Sequence, residues 1–192
     1  ALDAMAQDSL TMGPKTIEFQ DKFAKMSGTK YAFAATSCTT SMHVVTQLFD
    51  IKPGDEVIVT PNTFVATSLV ILKEGGKPVF ADIDPRTFNI DPNDVERKIT
   101  DKTKAIYVVH YAGQMVDMDP IMEIAKKHGL KVLEDCAHAT GSKYKGRAAG
   151  SIGDCGAFSF HSLKNITTCG EGGMITTNDD EYAKGIQNLR CM

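Results

Sequence analysis

The stretch FSFHSLKNITTCGEGGMITT, running from Phe158 to Thr177, carries the information that decides the fold. It opens on the end of an apolar strand, reaches Lys164, and turns through Gly170-Glu171-Gly172-Gly173 into a second apolar run. The glycines precede a strand, not a helix, so they are not a dinucleotide-binding fingerprint, and no P-loop pattern occurs in the chain. Most lysines are solvated surface charges. A lysine set between an apolar strand and a glycine-rich turn is a candidate for a desolvated amine, whose lowered pKa makes it a nucleophile.

Upstream of this stretch, short apolar, β-branched runs alternate with helical patterns. Strands are expected at Tyr31–Thr36, Glu56–Thr60, Pro78–Ile83, Ala105–Tyr111, Lys131–Asp135, Cys155–Phe160 and Gly173–Thr177. Most are continuous apolar runs, the pattern of a sheet covered on both faces. Between them, Asp91-Pro92 and Asp119-Pro120 each predict an N-cap acceptor followed by proline at the first helical position. The second of these helices carries Ile121, Ile124 and Ala125 on one face and ends at Lys126-Lys127-His128-Gly129. A basic last turn and a closing glycine suit the helix dipole and a left-handed cap. Met42, Val45, Leu48 and Phe49 form one stripe over 39–49, so that helix packs on the sheet. The alternation predicts an α/β fold, a three-layer α/β/α sandwich around a mostly parallel seven-stranded sheet.

The chain has 192 residues, enough for one domain with a buried core. Its 42% hydrophobic and 23% charged content is that of an ordinary soluble globular protein. A formal net charge of −3 with no basic run argues against nucleic acid or an anionic membrane surface as partner. No apolar stretch approaches the roughly 18 residues that span a bilayer. No secretory pattern opens the chain, so a cytoplasmic location is expected. Cys38, Cys136, Cys155, Cys169 and Cys191 are odd in number and lack C-x-x-C spacing, which predicts reduced thiols and no structural zinc. Both ends look abrupt: a helix-like run spans Ala1 to Gln7, and Leu189-Arg190-Cys191-Met192 closes without a cap, as expected of a piece of a longer protein.

In open α/β sheets, ligands bind beyond the carboxyl ends of the strands. The residues there are Thr36-Ser37-Cys38-Thr39-Thr40-Ser41, Pro61-Asn62-Thr63-Phe64, His110 to Gln114, Glu134 to His138, and Ser159 to Lys164. Hydroxyls, an aromatic, a carboxylate and a lysine converge on one edge, the inventory for an anionic, planar, nitrogen-containing cofactor. The 37–41 segment fits either plain helix capping or a phosphate cradle at a helix N-terminus. Asp135 ends an apolar strand, where a carboxylate is costly unless paired. A protonated pyridine nitrogen would pair it, and a turn-capping role is the alternative. Phe64 is either a core residue or a ring-stacking one. His138 is either a solvated loop histidine or a neighbour of the ring.

Taken together, TPNTFVAT, FADIDPRTFNID, VVHYAGQMVDMDPI, LEDCAHATGSKYKGR and FSFHSLKNITTCGEGGMITT resemble the DegT/StrS group of nucleotide-sugar aminotransferases, which are fold type I pyridoxal 5′-phosphate (PLP) enzymes. The similarity runs from about Gly13-Pro14-Lys15 onward. It implies that residues 1–192 are the PLP-binding large domain, with the C-terminal small domain outside this chain. It implies that Lys164 forms the Schiff base and shuttles the proton, Asp135 binds the pyridine nitrogen, and His138 lies near the phenolic oxygen. Phe64 would stack on the ring, and Cys38, Thr39 and Ser159 would hold the phosphate. The group usually has glycine or alanine at the position of Cys38, so a backbone contact is expected there. Relatives with histidine in place of Lys164 act as sugar dehydratases, and lysine points instead to transamination. The resemblance further implies a nucleotide-sugar substrate, glutamate as amino donor and a homodimer.

Overall fold

The computed structural model describes residues 2–6 and 11–190. Ala1, Gln7, Cys191 and Met192, which belong to the two expected chain ends, lie outside the described residues; Leu2–Met5 between them is a short helix, α1. The order then runs α2 (Pro14–Ser27), β1 (Tyr31–Ala35), α3 (Cys38–Leu48), β2 (Glu56–Val59), α4 (Ala66–Lys73) and β3 (Lys77–Phe80). It continues with α5 (Pro92–Lys98), β4 (Thr103–Val109), a 3-10 turn at Tyr111–Gly113, α6 (Met118–His128) and β5 (Lys131–Asp135). The last elements are the two-residue strands β6 (Lys143–Tyr144) and β7 (Arg147–Ala148), then β8 (Cys155–Ser159), β9 (Gly173–Thr177) and α7 (Asp180–Leu189).

All seven expected strands form one sheet in the order β1-β9-β8-β5-β4-β2-β3. Its pairings from β8 through β5, β4 and β2 to β3 are parallel, and β9 alone runs against its neighbours. The carboxyl ends of the other six strands and the amino end of β9 therefore share one edge. Both faces are covered, and alternation along each strand divides the core. Val57, Val59, Tyr107, Leu133, Ala157 and Ile175 pack under α3, α4 and α7. Ile58, Ile106, Val108 and Val132 face α5 and α6 on the other side. Phe158, Phe160 and Met174 meet Phe23 of α2 on that second side. This is the expected three-layer α/β/α sandwich.

Several boundaries differ from expectation. β3 stops at Phe80, since the Asp82 N–H turns away to the Asp94 carboxylate at 2.6 Å and Ile83 keeps only an isolated bridge to Ile90. β4 ends at Val109 because the chain folds over into the 3-10 turn, with Ala112 at φ 51°. Asp91 caps α5 as expected, accepting from the Asn93 N–H at 2.9 Å. α6 instead starts at Met118, so Pro120 falls inside its first turn, where a missing N–H costs nothing. Asp119 does not cap it; its carboxylate pairs with Lys145 and Arg147 of the β6–β7 hairpin. Gly129 closes α6 in the left-handed conformation, φ 67°, as its position predicted.

Candidate active site

The shared sheet edge holds a cavity of about 400 Å³, and all seven sequence-derived candidates line it: Cys38, Thr39, Phe64, Asp135, His138, Ser159 and Lys164. Four strand ends bring them there: Cys38 and Thr39 follow β1, Phe64 follows β2, Asp135 and His138 come from the end of β5, and Ser159 and Lys164 from the end of β8.

β1 leads into Ser37, the N-cap of α3. Its Oγ accepts from the Thr40 N–H at 3.1 Å, and the Thr40 hydroxyl accepts in return from the Ser37 N–H at 3.0 Å. This capping box leaves the N–H groups of Cys38 and Thr39, the first two of the helix, without intrahelical acceptors. They form the anion-attracting end of an 11-residue helix. The Cys38 side chain is buried and turned toward Asp135, Sγ to Oδ1 3.9 Å. Burial, then the neighbouring carboxylate, push its thiol well up, so it stays neutral. Ser159, at the end of β8, is also buried, with its Oγ accepting from the His161 N–H at 3.4 Å.

Asp135, at the end of β5, is 4% exposed and held on both oxygens. Oδ1 accepts from the Ala137 N–H at 3.0 Å, and Oδ2 accepts from the Thr67 hydroxyl at 2.8 Å. Its neighbour Glu134 points through the opposite face of the strand. There it accepts from His110 Nε2 at 2.9 Å and from the backbone N–H groups of Gly150, Ile152 and Gly153 at 2.7–3.0 Å. His110, Glu134 and Cys136 cluster closely enough to be considered as metal ligands. However, the His110 nitrogens are already engaged by Glu134 and by the Val116 N–H, so the group is a structural network.

His138 sits in the loop after β5, its ring edge against Tyr111. Nδ1 accepts from the Ala112 N–H at 3.3 Å, which places the ring proton of the neutral form on Nε2. Burial, then the charge of Lys164, lower its pKa against the pull of Asp135, so the ring is neutral at pH 7.

Lys164 is carried by the loop between β8 and β9. The loop is pinned at its base by Phe160 N–H to the Gly172 carbonyl and Ser162 N–H to the Gly170 carbonyl, each 2.8 Å. Asn165 ties its far side to the Thr140 carbonyl at 3.3 Å. Lys164 is half-buried as a residue, and among the described residues no carboxylate forms an ion pair with it. Phe64 lies at the mouth, 73% exposed, on the turn leading into α4. It is not a core residue but part of the cavity lining.

Among the further lining residues, Thr63, Thr67, His161 and Glu171 are polar side chains to which the sequence assigned no individual role. His161 and Glu171 face each other across the base of the lysine loop at 3.4 Å. Thr63, on the turn before α4, and Thr67, in its first turn, bring their hydroxyl oxygens to 2.9 Å.

Comparison with known proteins bears on the fold and the family. The GDP-perosamine synthase of Caulobacter vibrioides is 48% identical over 180 residues, 94% of this chain and 48% of that protein. The solved aminotransferase from Psychrobacter cryohalolentis superposes with a TM-score of 0.90 at 48% identity, over 91% of this chain and 44% of that one. DesV from S. venezuelae, solved in complex with a ketimine intermediate, gives 0.88 at 37% identity, over 93% and 47%. The chain spans about half the length of the curated relatives it matches. Its fold is that of the fold type I PLP-dependent aminotransferases. The profile of the DegT/DnrJ/EryC1/StrS aminotransferases matches residues 1–192, and the chain belongs to that family.

Proposed function

We propose that the protein containing this chain is a PLP-dependent aminotransferase that moves an amino group from glutamate to a keto-sugar nucleotide. Residues 1–192 are read as its large, cofactor-binding domain, in keeping with the half-length match to relatives. The observation that carries the proposal is Lys164, an amine without a carboxylate ion pair among the described residues, which lines the same cavity as a doubly held Asp135.

The donor set fits the cofactor. The free N–H groups of Cys38 and Thr39 at the α3 N-terminus, with the Ser159 hydroxyl, suit a phosphate dianion. The Asp135 carboxylate suits a ring N–H, the neutral His138 presents an Nε2 proton that suits the phenolic oxygen, and Phe64 suits a ring face. When bound, PLP supplies an electron sink for carbon–hydrogen bond cleavage next to the amine. The chain's own contribution is then positional. Lys164 would hold the group through Nζ and, once free, would be the amine placed to move a proton at the substrate carbon. Asp135 keeps the ring nitrogen protonated by offering it a fixed negative partner. The amino donor enters first and the sugar second, and both use the one lysine.

An assembly and a location belong to the same proposal. Val65, Leu69 and Leu72 are exposed along one face of α4, with Phe64 and Leu163 beside the mouth. A contiguous apolar surface of this kind marks an interface, and we assign it to a second copy of the chain. A cytoplasmic location accords with the free thiols of the four described cysteines. No helix among the described residues is long and apolar enough to cross a membrane.

The test is the visible absorbance of the full-length protein with PLP, before and after borohydride, followed by peptide mapping. A band that borohydride fixes as a mass adduct on Lys164, with pyridoxamine phosphate released on adding glutamate, is the expected result. An adduct on another lysine, or none, overturns the assignment.

A further inference from the structure

We propose that Thr67, oriented by Thr63, is a positioning residue that sets the Asp135 carboxylate for its cofactor contact. The inference rests on the PLP reading above and adds a residue to it.

A buried carboxylate needs donors for its lone pairs. The Oδ1 atom of Asp135 has the Ala137 N–H at 3.0 Å and a weak contact with the Cys38 thiol at 3.9 Å. For Oδ2, the structure offers the Thr67 hydroxyl at 2.8 Å, and Thr67 is fully buried. The same hydroxyl lies 2.9 Å from Thr63 Oγ1 and 3.2 Å from the Phe64 carbonyl. A threonine hydroxyl has one proton and two lone pairs. Its proton goes to the ionised oxygen, which is both the nearer and the stronger acceptor. Thr67 must then accept from Thr63, so the relay is directional: Thr63 donates to Thr67, and Thr67 donates to Asp135.

Two consequences follow from where these residues stand. Thr67 lies in the first turn of α4 and Asp135 at the end of β5, so the bond locks the carboxylate to a second element rather than to its own loop. Thr63 precedes Phe64, so the segment presenting the aromatic ring is coupled through two hydroxyls to the group that faces the ring nitrogen. Loss of the Thr67 proton frees Oδ2 to rotate and makes the carboxylate a better base. The proton shared with the ring nitrogen then sits nearer Asp135. A less positive ring disfavours a second charge on the conjugated group less strongly, so the pH midpoint of the cofactor's visible band rises.

The experiment compares Thr67→Val, Thr67→Ser and Thr63→Val in the full-length protein loaded with PLP. Valine keeps the shape of threonine and removes the hydroxyl. Thr67→Val is expected to raise the band midpoint and weaken PLP binding between about tenfold and a hundredfold, as for loss of a hydrogen bond to a charge. Thr67→Ser should restore both, and Thr63→Val should move the midpoint the same way by less. An unmoved midpoint in Thr67→Val, or in Thr63→Val where Thr67→Val does not fold, overturns the inference. So does equal impairment of the serine and valine variants, which would make the methyl group the important part. Absence of any band or Lys164 adduct in the wild-type protein removes the PLP reading as well; a normal wild-type band with an unmoved variant midpoint removes only the role of Thr67.

Discussion

Gly173 shows how closely the site is built at the level of one residue. β9 is the reversed strand, so its first residue arrives at the sheet edge where α3 begins. A Cβ on Gly173 would lie 2.4 Å from both the carbonyl carbon and oxygen of Ser37 and 2.8 Å from the Cys38 nitrogen. The obstruction is backbone, which cannot rotate away as a side chain would. Gly173→Ala must therefore push β9 from the helix N-terminus or displace the Cys38 and Thr39 N–H groups. Overpacking of this kind costs about 1–3 kcal/mol. The expected outcome is that loss of stability in urea, accompanied by weaker PLP binding, since the displaced atoms are the proposed phosphate donors. A variant with wild-type stability and affinity would show that the edge has slack that the distances do not.

Helix starts divide into those that serve the cavity and those that serve the fold alone, and the two kinds can be separated experimentally. Ser37 caps α3 beneath the cavity, and Asp91 caps α5 on the opposite face of the sheet. Replacing either with alanine should cost about 1 kcal/mol of stability. Only Ser37→Ala should also weaken PLP, because the cap orients the neighbouring N–H groups. Matched denaturation curves and PLP titrations would decide this, and equal affinity loss in both variants would refute the division. The same distinction explains what could be read from the sequence. The seven strands were legible because a sheet covered on both faces needs continuous apolar runs, and the Asp91 cap because its partner is two residues away. The two-residue strands at Lys143 and Arg147 carry too little pattern to register, and the start of α6 was misread because proline is tolerated anywhere in a first turn. Asp135 and Lys164 were legible as misfits, a carboxylate at the end of one apolar strand and an amine in the loop that follows another. Thr67 was not, since its role depends on α4 crossing β5, a contact set by packing rather than by spacing.

For the molecule as a whole, the Glu134 network is an acid-sensitive joint between strands. The carboxylate is fully buried and joins β5 to His110 after β4 and to the Gly150–Gly153 turn before β8, so three adjacent strands meet on it. Burial alone would raise its pKa, but the His110, Gly153 and Gly150 contacts outweigh burial and hold it below the usual glutamate value. The direction of the pH effect follows from linkage. A carboxyl depressed in the folded state contributes its full stabilisation above the unfolded pKa of about 4.3. That contribution shrinks as pH falls below this value and is gone once pH passes the folded one. Glu134→Gln keeps the shape, cannot ionise, and sets an amide NH₂ against donors that expect an acceptor. It should be about 3–5 kcal/mol less stable at pH 7, the scale for breaking a buried pair. The gap to wild type should narrow as pH drops from 5 toward 3, because only the wild type loses a charged contact there. Urea denaturation at a series of pH values measures that gap directly, and a gap that stays constant over the range would mean that Glu134 is held by packing and not by its charge.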